Sequence, residues 1–138
     1  MKTLYTAVAT AHGGRDGHVK SDDGVIDLEL RIPRSMGGPG GAATNPEQLF
    51  AAGYAACFES ALRLIARLQK KPLKDAHVTA HVDINATDDG KYLLAVQLRG
   101  KLEGLGREEA EALMNAAHEV CPYSRATRGN IEVKLFAD

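Results

Sequence analysis

The sequence predicts an α+β fold of largely antiparallel sheets with one long central helix. Three observations carry that reading: strands of alternating apolar and polar residues at both ends of the chain, Asp-Gly pairs placed to join them as hairpins, and only two segments of helical periodicity. A chain of 138 residues is long enough to bury a core without a metal or crosslink. No repeat, charge block or low-complexity tract divides residues 1–138, so one domain is expected. Hydrophobic residues at 44% and charged residues at 25% exclude disorder as the main state. With 17 Lys and Arg against 18 Asp and Glu there is no positive excess to hold phosphates, which argues against nucleic acid as a partner.

Residues 4–11 and 17–20 suggest strands, and Ile26, Leu28, Leu30 and Ile32 alternate with Asp27, Glu29 and Arg31 as a half-buried strand entered through the turn Asp23-Gly24. A glycine-rich loop over 33–45 follows. It ends at Asn45-Pro46-Glu47-Gln48, which supplies an N-cap side chain, a proline at N1 and a glutamine at N3 able to reach back to the cap. The helix that begins there is expected to run to about Lys70, because Pro72 discourages continuation. Ala76, Val78, Ala80, Val82 and Ile84 then alternate with polar residues, and after Asp89-Gly90 the segment YLLAVQLRGKL reads as the partner strand. Residues 107–120 form a second amphipathic helix limited by Pro122, and IEVKLF closes the chain as a strand.

The first 14 residues lack the apolar region of a secretory signal, and no apolar run approaches the roughly 18 residues of a membrane span. A cytoplasmic protein with no membrane partner is expected. In a reducing compartment its two cysteines, Cys57 and Cys121, are expected as free thiols, either packed in the core or reactive. A structural disulfide across their 64-position interval remains an alternative that compartment disfavours.

Stepping about 100° per residue along the first helix puts Tyr54, Cys57, Ala61, Leu64, Ile65 and Leu68 on one stripe with Phe50. Cys57 then sits mid-stripe among apolar neighbours, where a thiol is held protonated, so chemistry there needs a cation from elsewhere. Arg15, in the glycine-flanked turn Gly13-Gly14-Arg15-Asp16-Gly17, is either that cation or a solvated turn charge. Glu47 in the first helical turn either complements the helix dipole or receives Arg15 in a two-pronged pair. His77 and His81 share a strand face with Asp83, but no closed metal-ligand set emerges.

Three segments together, GGRDG at 13–17, ATNPEQLFAAGYAACF at 43–58 and AHEVCPYSRATRGNI at 117–131, resemble the organic hydroperoxide resistance branch of the Ohr/OsmC family. The resemblance spans nearly the whole chain and implies an Ohr-like fold assembled as an intertwined homodimer. It implies a peroxidase that reduces alkyl and fatty-acid hydroperoxides to alcohols with no bound cofactor. Cys57 would be the peroxidatic thiol, Cys121 the resolving thiol, Arg15 the thiolate-activating cation and Glu47 its carboxylate partner. The expected reductant is a dithiol, a dihydrolipoyl group on a carrier protein. Phe50 and Tyr54 are candidates for a pocket that favours alkyl peroxides. Two alternatives are an OsmC-type peroxidase of broader specificity and a non-catalytic binder of hydrophobic molecules.

Overall fold

The computed structural model describes residues 1–138, which form two compact units, Met1–Leu49 and Phe50–Asp138. The boundary falls within the first turns of the long helix and not in the glycine-rich loop. In the first unit three antiparallel strands, β1 (Ala9–His12), β2 (His18–Ser21) and β3 (Asp27–Glu29), lie in the order β1-β2-β3. They are shorter than the alternation suggested. β1 pairs from Ala9 opposite Ser21, and β2 gives way there to the turn, in which Gly24 takes a φ of 75°, a left-handed conformation that favours glycine. The alternating 26–32 segment contributes only three ladder residues, after which Leu30 bridges Thr44 and is the one large apolar side chain buried in this unit.

The helix α1 (Pro46–Leu68) starts where the sequence places it. The Gln48 N–H donates to Asn45 Oδ1 at 2.8 Å, satisfying one free donor of the first turn. The Gln48 side chain does not return to the cap; its Oε1 accepts from Thr44 Oγ1 at 2.6 Å. The helix stops two residues before Lys70, which adopts a φ of 54°. Lys71 N–H bonds to Ala66 O and Lys70 N–H to Arg67 O, the paired closure of a left-handed C-cap.

In the second unit β4 (Asp75–Ala86) and β5 (Tyr92–Glu103) form a long antiparallel hairpin whose register sets Val82 opposite Val96 and Ala80 opposite Leu98. One face is thereby apolar, and His77, His81 and Asp83 lie exposed on the other. Two helices follow, α2 (Arg107–Val120) and the short α3 (Pro122–Thr127), before β6 (Val133–Ala137). β6 pairs with β5 in parallel, a departure from an all-antiparallel sheet that the helical crossover between them permits. Tyr54, Phe58 and Leu62 of α1, Val96 and Leu98 of β5, and Leu113, Met114 and Ala117 of α2 make the core.

The buried face of α1 is rotated from the expected stripe toward Phe58 and Leu62, both fully buried, while Leu64 and Leu68 are 40% and 68% exposed. Packing against β5 and α2 selects that face. Cys57 consequently lies at the margin of the buried face, half-buried, and not at its centre. Despite Glu59 and Arg63, α1 is by length and composition apolar enough to cross a membrane, contrary to the expectation from uninterrupted apolar runs. Its packing against β5 and α2 accounts for that apolarity in part as core.

Candidate active site

In the first unit a single 3₁₀ turn, Gly14–Asp16, between β1 and β2 presents Arg15. Thr44 is anchored to the end of β3 by its N–H to Glu29 O and by Arg31 N–H to its own carbonyl, which fixes where α1 begins and hence where Glu47 lies. Arg15 Nη1 donates to Glu47 Oε2 at 2.8 Å and Nη2 to Oε1 at 2.6 Å, a parallel two-pronged pair. The side chains are 33% and 13% exposed, so water screens them only partly. The guanidinium's hydrogen bond holds Glu47 below the usual carboxylate range, against the opposing effect of burial. The Arg15 fork is therefore held by a carboxylate, as a directed guanidinium requires.

In the second unit the two cysteines meet. Both are free thiols, with Cys121 Sγ donating to Cys57 Sγ at 3.6 Å. A disulfide needs about 2.05 Å, so the pair is unlinked yet within a small displacement of bonding. Cys57 is half-buried and Cys121 is sealed from solvent. Cys121 is the N-cap of α3, with Pro122 at the start of that helix. The Tyr123 N–H, which has no intrahelical acceptor in the first turn, points at the Cys57 sulfur. Burial pushes the Cys57 thiol above its ordinary range, the Tyr123 N–H pulls it down, and neighbouring Cys121 pushes it up again. Within these surroundings Cys57 is poorly ionised, and a nucleophilic role calls for a cation.

An open groove of about 600 Å³ is lined by Phe50, Leu93, Leu94, Pro122, Tyr123 and Ile131 among others; Pro122 and Tyr123 directly follow Cys121 in the sequence, and neither cysteine belongs to the lining. Phe50 is thus at its wall. Tyr54 is not: it is fully buried beneath, its ring 6.0 Å from that of Phe50 and 5.6 Å from that of Tyr123, its hydroxyl turned to Ser124. Gly53 lets Tyr123 settle there, because a Cβ at that position would stand 2.7 Å from the Tyr123 hydroxyl. Tyr123, Ser124 and His118 do not stand out in the sequence. Tyr123 was legible in principle, since Cys-Pro-Tyr at a helix start leaves the Tyr N–H unpaired.

Residues 38–136 match the family model described as OsmC-like protein. The chain is 49% identical to the organic hydroperoxide resistance protein OhrB of Bacillus subtilis, over 96% of each chain. It is 48% identical to the organic hydroperoxide resistance protein of Xanthomonas axonopodis pv. citri, over 97% of this chain and 94% of that one. Among solved structures it resembles an organic hydroperoxide resistance protein OsmC from Legionella pneumophila, with a TM-score of 0.95 and 56% identity over 99% of both chains.

Proposed function

The chain belongs to the OsmC-like family, alongside proteins named for organic hydroperoxide resistance, and from that premise we propose that it is a thiol peroxidase reducing organic hydroperoxides to alcohols. The observation that carries this reading is the pair of unlinked sulfurs 3.6 Å apart, one reachable from the surface and one sealed. A reachable thiol can meet a peroxide, and a sealed one at that distance can trap the product before a second oxidant does.

The Cys57 thiolate attacks the outer oxygen of the hydroperoxide; the O–O bond breaks, and the alkoxide leaves as an alcohol after taking a proton. Cys57 is then a sulfenic acid. The Cys121 sulfur attacks it, an S–S bond forms, and the hydroxyl departs with the thiol proton as water. A dithiol reduces the disulfide by exchange and is itself oxidised to a disulfide. Overall, one hydroperoxide and one dithiol give one alcohol, one water and one disulfide. Arg15, aimed by Glu47, is assigned the role of holding the Cys57 thiolate and the charge that develops as the O–O bond breaks. The apolar groove suits an alkyl chain better than hydrogen peroxide.

A dihydrolipoyl group on a carrier protein is the assigned dithiol, the cytoplasm the compartment, and a homodimer the working form. The first unit supports the last of these: its three-stranded sheet leaves most of its side chains exposed, Leu28 among them, with Ile26 exposed just before β3, and such a sheet needs cover.

One turnover with cumene hydroperoxide should consume both thiols per chain and leave an internal Cys57–Cys121 bridge, and Cys57→Ser should abolish turnover. Unchanged turnover in that variant would eliminate the enzyme reading in favour of a hydrophobic-ligand binder. Equal efficiency with hydrogen peroxide would point to the broader OsmC-type specificity.

A further inference from the structure

A group of polar side chains behind Cys121 has no part in the chemistry above. Tyr54 Oη lies 2.8 Å from Ser124 Oγ and 3.1 Å from Thr127 Oγ1, and His118 Nδ1 lies 2.8 Å from Ser124 Oγ. Thr127 Oγ1 donates to the Ser124 carbonyl at 3.2 Å. Tyr54 and Ser124 are fully buried and Thr127 is 6% exposed, so water cannot substitute for a missing partner.

Proton counting gives this chain a direction. A hydroxyl has one hydrogen to donate. That of Thr127 goes to a carbonyl, which can only accept, so Thr127 Oγ1 accepts from Tyr54. Tyr54 Oη must then accept from Ser124, and Ser124 Oγ must accept from His118. The imidazole therefore carries its proton on Nδ1, and in the neutral ring Nε2 is the bare nitrogen. Burial, with the Arg128 charge, holds His118 below its ordinary range and so favours the neutral ring.

The oriented chain ties together three helices around the sulfurs. Tyr54 lies on α1 three residues before Cys57, Ser124 lies on α3 three residues after Cys121, and His118 lies three residues before Cys121 on the last turn of α2. Arg128 also donates to the His118 carbonyl, so the α2–α3 corner is clamped at side chain and backbone. We propose that His118 and Ser124 are positioning residues for the resolving thiol: as head and centre of this chain they lock α3 to α1 and fix Cys121 Sγ beside Cys57 Sγ. Its use in turnover rests on the thiol-peroxidase reading, whereas the positioning itself does not.

The test reads the full-length chain without peroxide. Equilibration with reduced and oxidised dithiothreitol gives the stability of the Cys57–Cys121 disulfide. His118→Ala and Ser124→Ala should each weaken it about tenfold, a shift of about 30 mV toward a more oxidising potential. His118→Asn, whose amide nitrogen can donate from nearly the Nδ1 position, should restore most of it. Wild-type potentials in both alanine variants overturn the proposal. Nitrogen chemical shifts of His118 in the unmodified protein test it without any variant: protonated Nδ1 with bare Nε2 is expected, and the opposite tautomer overturns it. If the chain reduces no hydroperoxide while the potentials shift as stated, the function fails and the positioning role stands. If it turns over hydroperoxide with the potentials unmoved, the positioning role alone fails.

Discussion

At Cys57, burial raises the thiol pKa, the Tyr123 N–H lowers it and Cys121 raises it again, so the balance within its own unit favours the protonated form. The proposed role of Arg15 follows from that imbalance and can be separated from binding by pH. Arg15→Gln should move the apparent pKa of peroxide reduction upward and cut the neutral rate about tenfold for each pH unit that it rises, with recovery at alkaline pH. Arg15→Lys should fall between, because a lysine cannot span both Glu47 oxygens. A pH–rate profile with either variant superimposed on wild type would remove Arg15 from the mechanism. Acid stability belongs to other residues. His118 has a folded pKa lowered by burial, so its contribution is complete above its ordinary value of about 6.5 and declines as pH falls below it, because the unfolded chain takes the proton first. Glu47 is also lowered, chiefly by the Arg15 hydrogen bond, so its contribution is present above about 4.3 and is lost as pH falls through its lower folded value. Urea midpoints across a pH series should show two acid steps, and His118→Asn should remove the upper one only.

The elements carry their own tests, and their ends were the most legible part of the chain. Asn45→Ala removes the acceptor of the Gln48 N–H and should cost about 1 kcal/mol in urea unfolding. Lys70 occupies the left-handed position of the C-cap with a Cβ that resists it, so Lys70→Gly should stabilise by up to about 1 kcal/mol. Both ends of α1 could be read because caps and prolines are local signals, as were the hairpin turns at Gly24 and Gly90 and the alternation of β4 and β5. The short strands of the first unit were overestimated because alternation records which side chains prefer cover, not whether a partner strand exists within the chain. α3 and the parallel placement of β6 were missed because both follow from how the chain returns over β5 after α2. The site divides in the same way. Residue type and setting leave Cys57, Cys121, Arg15 and Glu47 each with a structural as well as a chemical reading, and the family resemblance is what assigns them roles, whereas the helical stripe points to Tyr54 as a pocket wall because it cannot show its hydroxyl turning to Ser124, 70 positions away.

At the scale of the molecule, the apolar surface left by one chain calls for cover. Only 28% of the most apolar 18-residue stretch of α1 is buried, Leu64 and Leu68 point outward, and in the first unit Leu4, Tyr5, Val25 and Leu28 are all exposed by 42% or more. Side chains of this size each contribute about 1.5–3 kcal/mol when fully withdrawn from water, so a second copy covering several of them would gain more than association costs in lost freedom. A closed homodimer satisfies this without leaving an open apolar face for further growth. Sedimentation of the full chain should therefore give twice the 14.8 kDa monomer mass, and the melting temperature should rise with protein concentration, as it does when folding is coupled to the proposed association. Leu64→Asp sets a charge on the outward face of α1, where nothing in the chain's own core is disturbed. It should shift the equilibrium toward monomer and lower the melting temperature at micromolar concentration, while an exposed change such as Lys134→Asp should do neither. A chain that sediments as a monomer with a concentration-independent melting temperature would show that its apolar surface is covered in some other way.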